Sequence, residues 1–205
     1  MDIAASIQKV TEEVMISLSK SIRKEYGIKN LCLAGGVALN CVANGKILQE
    51  KIFDNIWIQP AAGDAGGSLG AALALWYLEL NKKRIANPED DMQGSYLGPN
   101  YDQNTIEKEL ELIGANFEIV DYDNLINRTT KYLSEEKAIG WFQGRMEFGP
   151  RALGARSILG DPRSETMQKN LNLKVKYRES FRPFAPSILS DDLNDWFEME
   201  SVSPY

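Results

Sequence analysis

Twice in its first half the chain passes from a short apolar run through a glycine-rich turn into a helix-forming segment, and that tandem confines the fold to an α/β layer. The first unit is Lys29-Asn-Leu-Cys-Leu-Ala34, then Gly35-Gly36, then a helix expected over Val37 to Glu50. The second is Asn55-Ile-Trp-Ile-Gln59, the loop Pro60-Ala-Ala-Gly-Asp-Ala-Gly-Gly-Ser68 and a helix expected over Leu69 to Leu80. Short apolar runs without alternation read as buried strands, and helical crossovers of this length return the chain so that such strands run parallel. Ahead of them, Ile3, Ile7, Val10, Val14, Leu18 and Ile22 recur at spacings of three and four, which predicts one apolar stripe on a long amphipathic helix ended by Gly27.

Glycines at strand-to-helix junctions let backbone N–H groups approach a ligand, and the helix N-terminus that follows favours an anion. Gly35, Gly36, Gly63, Gly66 and Gly67 are the candidates, with Asp64, the only acid of its loop, as a metal or Mg-phosphate contact. The alternative is purely structural: the glycines permit close packing and Asp64 caps a helix. Neither a Walker A loop nor G-x-G-x-x-G is present.

Between Asn81 and Asn100 the sequence becomes polar and rich in turn residues, which places a domain junction there. Beyond it, Asp102 to Gly114 reads as a helix with Ile106, Leu110 and Ile113 inward, Asn116 to Val120 as a strand, Leu125 to Leu133 as a helix and Lys137 to Phe142 as a buried strand. That strand leads into the stretch from Gln143 to Pro186, where Arg145, Arg151, Arg156, Arg163, Lys174, Lys176, Arg178 and Arg182 gather around a short polar helix-like segment.

The chain as a whole is acidic, 29 Asp+Glu against 23 Lys+Arg, so this enrichment is local and calls for an anionic partner. Arg offers a planar fork for two oxygens, and Lys a movable point charge. In an extended segment Lys176 and Arg178 would share one face, while Phe181 and Pro183 around Arg182 disfavour a regular strand. Ser157 can donate to a phosphate oxygen. A serine nucleophile would need a base, and the chain contains no histidine, so binding and electrostatic stabilisation are expected here rather than covalent catalysis. The net charge of −6 disfavours nucleic acid. No apolar run has the length of a membrane span, and Cys32 and Cys41 read as buried or half-buried thiols of a reducing compartment. A cytoplasmic protein is expected.

The blocks LAGGVALNCVANGKI, PAAGDAGGSLGAALA, FQGRMEFGPRALGARSILGDPR and VKYRESFRPFAP together resemble the carbamoyltransferases that include the nodulation-protein and antibiotic O-carbamoylating enzymes. The resemblance implies an α/β chain with part of an actin-like ATPase-fold lobe over residues 1–84, a linker over 85–94 and a YrdC-like domain over 95–205. It also implies ATP and carbamoyl phosphate as ligands, a carbamoyl-adenylate intermediate and a small-molecule hydroxyl as acceptor. By the same resemblance Arg151, Lys176, Arg178 and Arg182 would act on carbamoyl phosphate and the adenylate, with Arg145, Arg156 and Ser157 also binding substrate. Gly35, Gly36 and Asn40 would cradle a second nucleotide, joined by Gly63, Gly66 and Gly67, and Asp64 would ligate a divalent metal, Fe or Mg.

Three departures qualify what the resemblance implies. The family's metal takes histidines from an upstream segment, and this chain has none. The chain also ends at Ser-Pro-Tyr205 where a continuation is expected, so a fragment or short homologue is anticipated, its cleft completed by a further segment or a second copy. Tyr177 stands where the family often carries His. Kept open beside the enzyme are a binding-only module and a relative of the tRNA threonylcarbamoylation proteins.

Overall fold

The computed structural model describes residues 2–85, 87 and 89–199. Pro88 of the turn-rich stretch and the terminal Ser-Pro-Tyr205 lie outside the described residues. The fold is mixed α/β, in two compact units: Met1–Asp91 with Phe148–Arg151, and Met92–Glu147 with Ala152–Tyr205.

In unit 1, helix α1 (Asp2–Tyr26) precedes strand β1 (Asn30–Leu33), a 3-10 turn (Gly36–Leu39), helix α2 (Cys41–Gln49), strand β2 (Asn55–Ile58) and helix α3 (Ala65–Ala74), which runs on as a π turn over Leu75–Glu79. Strands β1 and β2 pair in parallel, Leu31 against Ile56 and Leu33 against Ile58, as the tandem of strand, glycine turn and helix requires. The expected helix from Val37 is interrupted, because Asn40 leaves helical geometry and caps α2, its side-chain oxygen accepting from the Ala43 N–H at 3.1 Å. Conversely α3 starts earlier than expected, so Gly66 and Gly67 lie inside a helix and not in a loop.

The largest correction concerns α1. Its apolar stripe is exposed, from 41% at Ile22 to 78% at Ile3, whereas Glu12 and Ser19 on the other side are buried. The polar side packs on α2, where Glu12 pairs with Lys46 and accepts from the Gln8 side chain at 2.9 Å. The ammonium of Lys46 and the amide of Gln8 hold the Glu12 carboxyl below its ordinary value. Strands β1 and β2 are likewise half-exposed with alternating burial, and Cys32 and Cys41 are free and exposed, against the expectation of buried strands and buried thiols. The core of this unit is small: Ala38, Ala43, Ile47, Phe53, Ala61 and Ala62.

Unit 2 contains α4 (Gln103–Leu112), α5 (Tyr122–Ser134), strands β3 (Ile139–Phe142) and β4 (Arg156–Leu159), helix α6 (Met167–Asn170) continued as a π turn over Leu171–Val175, and α7 (Leu193–Trp196). Asp102 and Asp121 cap α4 and α5 through the N–H groups of Thr105 and Asn124. Strand β4 pairs antiparallel with β3, Phe142 opposite Arg156, so the start of the cationic stretch is a hairpin where sequence reading places only turns. Residues 116–120 form no strand, since β3 pairs only with β4 among the described residues. Strand β3 is half-exposed and Ile113 is 73% exposed, so neither is buried as expected.

The chain exposes 15910 Å², whereas two separate compact bodies of half its mass would expose roughly 12,000 Å². The surplus is in keeping with the outward apolar residues of α1 and of the α3 region, among them Leu75, Trp76 and Leu78.

Candidate anion and nucleotide sites

The parallel pair in unit 1 brings its two glycine loops to one edge. The Gln59 N–H donates to the Leu33 carbonyl at 3.1 Å, and the Gly35 N–H to the Ala62 carbonyl at 2.7 Å. Ligands of parallel α/β layers bind outside the carboxyl ends of the strands, which is where these loops meet. Gly35 has φ of 95°, a conformation side chains resist, and a Cβ at Gly36 or Gly67 would meet nothing within 4 Å, so there is open space at both, although the Gly67 N–H already donates to the Asp64 carbonyl at 3.0 Å. Gly66 differs: a Cβ there would stand 2.1 Å from the Ala61 carbonyl oxygen, so this glycine serves packing. Gly63 is half-buried beside Leu39. Asn40 is already engaged, exchanging hydrogen bonds with the Gln8 side chain at 2.9 and 3.2 Å besides capping α2. The amide of Asn44 donates to the Ala38 carbonyl at 2.8 Å, while its buried side-chain oxygen lacks a partner.

Asp64 is exposed, sits at the N-cap position of α3 and makes no side-chain cap bond. Among the described residues no group of three His, Cys, Asp or Glu side chains could hold a metal ion. One carboxylate is a poor donor set for Fe or Mg, so the described residues do not by themselves fit a metal centre.

In the cationic stretch the structure separates committed cations from available ones. Arg156 donates to the Gln143 carbonyl at 2.9 Å, to its neighbour Ala155 at 2.8 Å and to Gly144 at 3.2 Å, and stacks 3.4 Å over the Phe142 ring. It ties down its own loop. The Ser157 hydroxyl accepts from the Gly154 N–H at 2.9 Å. Arg163 forks onto Asp161, whose carboxyl the guanidinium and the Arg163 backbone N–H pull down to about 2. Arg182 approaches Glu179 at 3.4 Å on the surface. By contrast the side chains of Arg145, Arg151, Lys174 and Lys176 have no partner among the described residues and are exposed.

The loop between β3 and β4 is organised by a residue that sequence reading passes over. Glu147 is buried, and one of its carboxylate oxygens accepts from the N–H groups of Leu153 at 2.7 Å, Ala155 at 2.8 Å and Arg156 at 3.2 Å. Burial alone would raise its pKa, but these backbone donors outweigh that and leave it below the ordinary value. A lone acid among glycines and arginines was the available signal. Tyr96 adds a donor to the Leu153 carbonyl at 2.6 Å. Arg151 belongs with unit 1, in the short insert where a Cβ on Gly149 would meet the Pro60 carbonyl oxygen at 3.0 Å.

Lys176, Arg178 and Arg182 lie in unit 2, on a segment that is not extended as expected. The π turn ends at Lys176 in helical geometry, and Tyr177 has φ of 50°, so the alternation that would align Lys176 with Arg178 is broken. Arg178 is half-buried, donates to the Asn172 side-chain oxygen at 2.7 Å and lies 4.9 Å from the Phe184 ring centre. Lys176 remains open to a partner.

Unit 1 thus presents a parallel α/β edge with glycine loops, and unit 2 a cationic loop pinned by Glu147. Comparison with known proteins gives the family. The family described as Carbamoyltransferase N-terminus matches residues 1–73, and Carbamoyltransferase C-terminus matches residues 130–205. The chain is 56% identical over its whole length to the uncharacterised protein sll1178 of Synechocystis, covering 34% of that protein. It is 44% identical to nodulation protein NolNO of Sinorhizobium fredii and 43% identical to nodulation protein NolO of Bradyrhizobium diazoefficiens, over 97% of this chain and 29% and 36% of theirs. The chain belongs to the carbamoyltransferase family and spans about a third of the length of these curated relatives.

Proposed function

We propose that this chain carries the carbamoyl-phosphate site and part of the nucleotide site of an ATP-dependent O-carbamoyltransferase. In it carbamoyl phosphate gives up phosphate to water, the carbamate formed displaces pyrophosphate from ATP to give carbamoyl-adenylate, and the carbamoyl group passes to a hydroxyl of a small-molecule acceptor with release of AMP. The observation that carries the reading is Lys176: an exposed ammonium without a partner, beside Arg178 and Arg182, in an acidic chain of the carbamoyltransferase family. Lys176 follows the charge that develops as phosphate departs, and Arg178 and Arg182 hold oxygens. Arg145 supplements them in unit 2, while Arg151, grouped with the glycine loops of unit 1, serves the nucleotide side. Gly36 leaves room for nucleotide phosphate to approach the backbone, and the N-terminus of α3 favours its charge. Family relatives reach about three times this length, and the outward apolar face of α1 is the natural seat for further carbamoyltransferase polypeptide.

Carbamoyl phosphate raises the melting temperature of the wild-type chain in this account, and Lys176→Ala abolishes the shift while leaving the ligand-free melting temperature unchanged. No shift in wild type overturns it. The sparse donor set around Asp64 favours a second reading, in which this chain is a non-catalytic binding module; ATP–pyrophosphate exchange by the chain alone would exclude that.

A further inference from the structure

One fully buried side chain in unit 2 addresses the cationic loop and nothing else. Asn172, 0% exposed, sits in the π turn over Leu171–Val175 and is among the largest completely buried side chains in the protein. Its amide nitrogen donates to the Ser180 carbonyl at 3.2 Å and to the Arg182 carbonyl at 2.8 Å. Its side-chain oxygen accepts from the Arg178 guanidinium at 2.7 Å, and its backbone carbonyl accepts from the Arg178 N–H at 3.0 Å. One turn earlier Gln168 donates to the Phe181 and Arg182 carbonyls at 3.1 and 3.2 Å. Six hydrogen bonds from two side chains and one carbonyl thus close a loop whose apex is Tyr177, held at a positive φ that a β-carbon resists. A segment containing Pro183 and Pro186 has no ladder to join, so its backbone carbonyls depend on side-chain donors.

We propose that Asn172, seconded by Gln168, is the positioning residue of the anion site: it fixes the loop closure and the direction of the Arg178 fork, leaving Lys176 unengaged at the loop edge. Asn is suited to this because one amide supplies both the acceptor for Arg178 and the donors for the loop carbonyls. Asp in its place would keep the acceptor and lose the donors, facing two carbonyl oxygens with a charge. The inference rests on the carbamoyl-phosphate reading for its ligand, while the loop closure stands on the geometry.

The test measures two quantities on the full chain: calorimetric affinity for carbamoyl phosphate, and the rate of tryptic cleavage after Lys176 and Arg178 in the absence of ligand. Asn172→Ala is expected to weaken binding about 10-fold or more and to speed cleavage at both positions, because loss of the side chain orphans the Ser180 carbonyl and the Arg178 fork and leaves the Arg182 carbonyl to Gln168 alone. Should it fail to fold, Gln168→Ala, at an exposed position, gives the same pattern at smaller size, and Gln168→Lys, which retains a donor for the carbonyls, recovers most of it. Unchanged affinity and cleavage in the folded variants overturn the inference and leave the carbamoyl-phosphate reading intact. Absent binding in wild type with faster cleavage in the variants overturns that reading and retains the loop closure. Weaker binding at unchanged cleavage overturns loop closure as the route by which Asn172 acts.

Discussion

The two units shape their candidate sites by opposite means. In unit 1 the glycine loops owe their form to backbone geometry: parallel strands, the Gly35 N–H on the Ala62 carbonyl, and a glycine at 66 that a β-carbon would exclude. In unit 2 the cationic loops owe theirs to buried polar side chains, Glu147 within one and Asn172 beneath the other. The comparison teaches that a loop built on backbone spacing breaks through volume, while a loop built on a buried hydrogen-bonding hub breaks through loss of a partner.

That contrast sets the order of expected effects. Glu147→Ala leaves three backbone N–H groups without their acceptor in a buried site, and at about 1–3 kcal/mol for an orphaned buried group it is the most destabilising single change expected in unit 2. Denaturant unfolding checks it; a loss below about 0.5 kcal/mol would mean that the loop does not depend on the carboxylate. In unit 1, Gly66→Ala meets the Ala61 carbonyl and costs about 1–3 kcal/mol. Its neighbour Gly67→Ala, with open space around the added carbon, stabilises the helix by up to about 1 kcal/mol in the same measurement. Equal effects at the two glycines would erase the distinction between packing and access.

Acid separates the units less sharply. Folding lowers the carboxyl pKa of Glu147 below 4.5, and that of Asp161 from 3.8 to about 2. Their stabilisation is therefore complete above pH 4.5 and is lost as the pH falls toward 2. Glu147→Gln and Asp161→Asn should each flatten this acid limb in pH-dependent unfolding, Asp161→Asn more because its pKa is moved further. The smallest effect belongs to Arg163→Ala, whose side chain is 78% exposed: a loss within about 1 kcal/mol that high salt diminishes.

Much of the scaffold was legible because local signals dominate it. The periodicity of α1 and the two strand–turn–helix units mark elements by spacing alone. What eluded the sequence was which face of an element is covered. The stripe of α1 reads as buried, yet it lies outward while Glu12 and Ser19 are covered; burial is a property of neighbours, which periodicity alone does not give. Strand β4 was hidden for a related reason, since Arg156-Ser-Ile-Leu159 pairs because β3 lies opposite, not because its composition is strand-like. Among the site residues, the cations announced themselves by charge, but nothing in the spelling separates Arg156, spent on the carbonyls of its own loop, from Lys176, which is open. That distinction depends on Glu147 and Asn172, an acid and an amide of unremarkable sequence context whose importance appears only with their three-dimensional partners.

The most direct test of the division between the sites is a pair of calorimetric titrations, carbamoyl phosphate and ATP, on the wild type, Lys176→Ala and Gly36→Val. The account predicts that both ligands bind wild type, that Lys176→Ala loses carbamoyl phosphate and keeps ATP, and that Gly36→Val does the reverse. Undiminished carbamoyl phosphate binding by Lys176→Ala would contradict the assignment of the cationic loop.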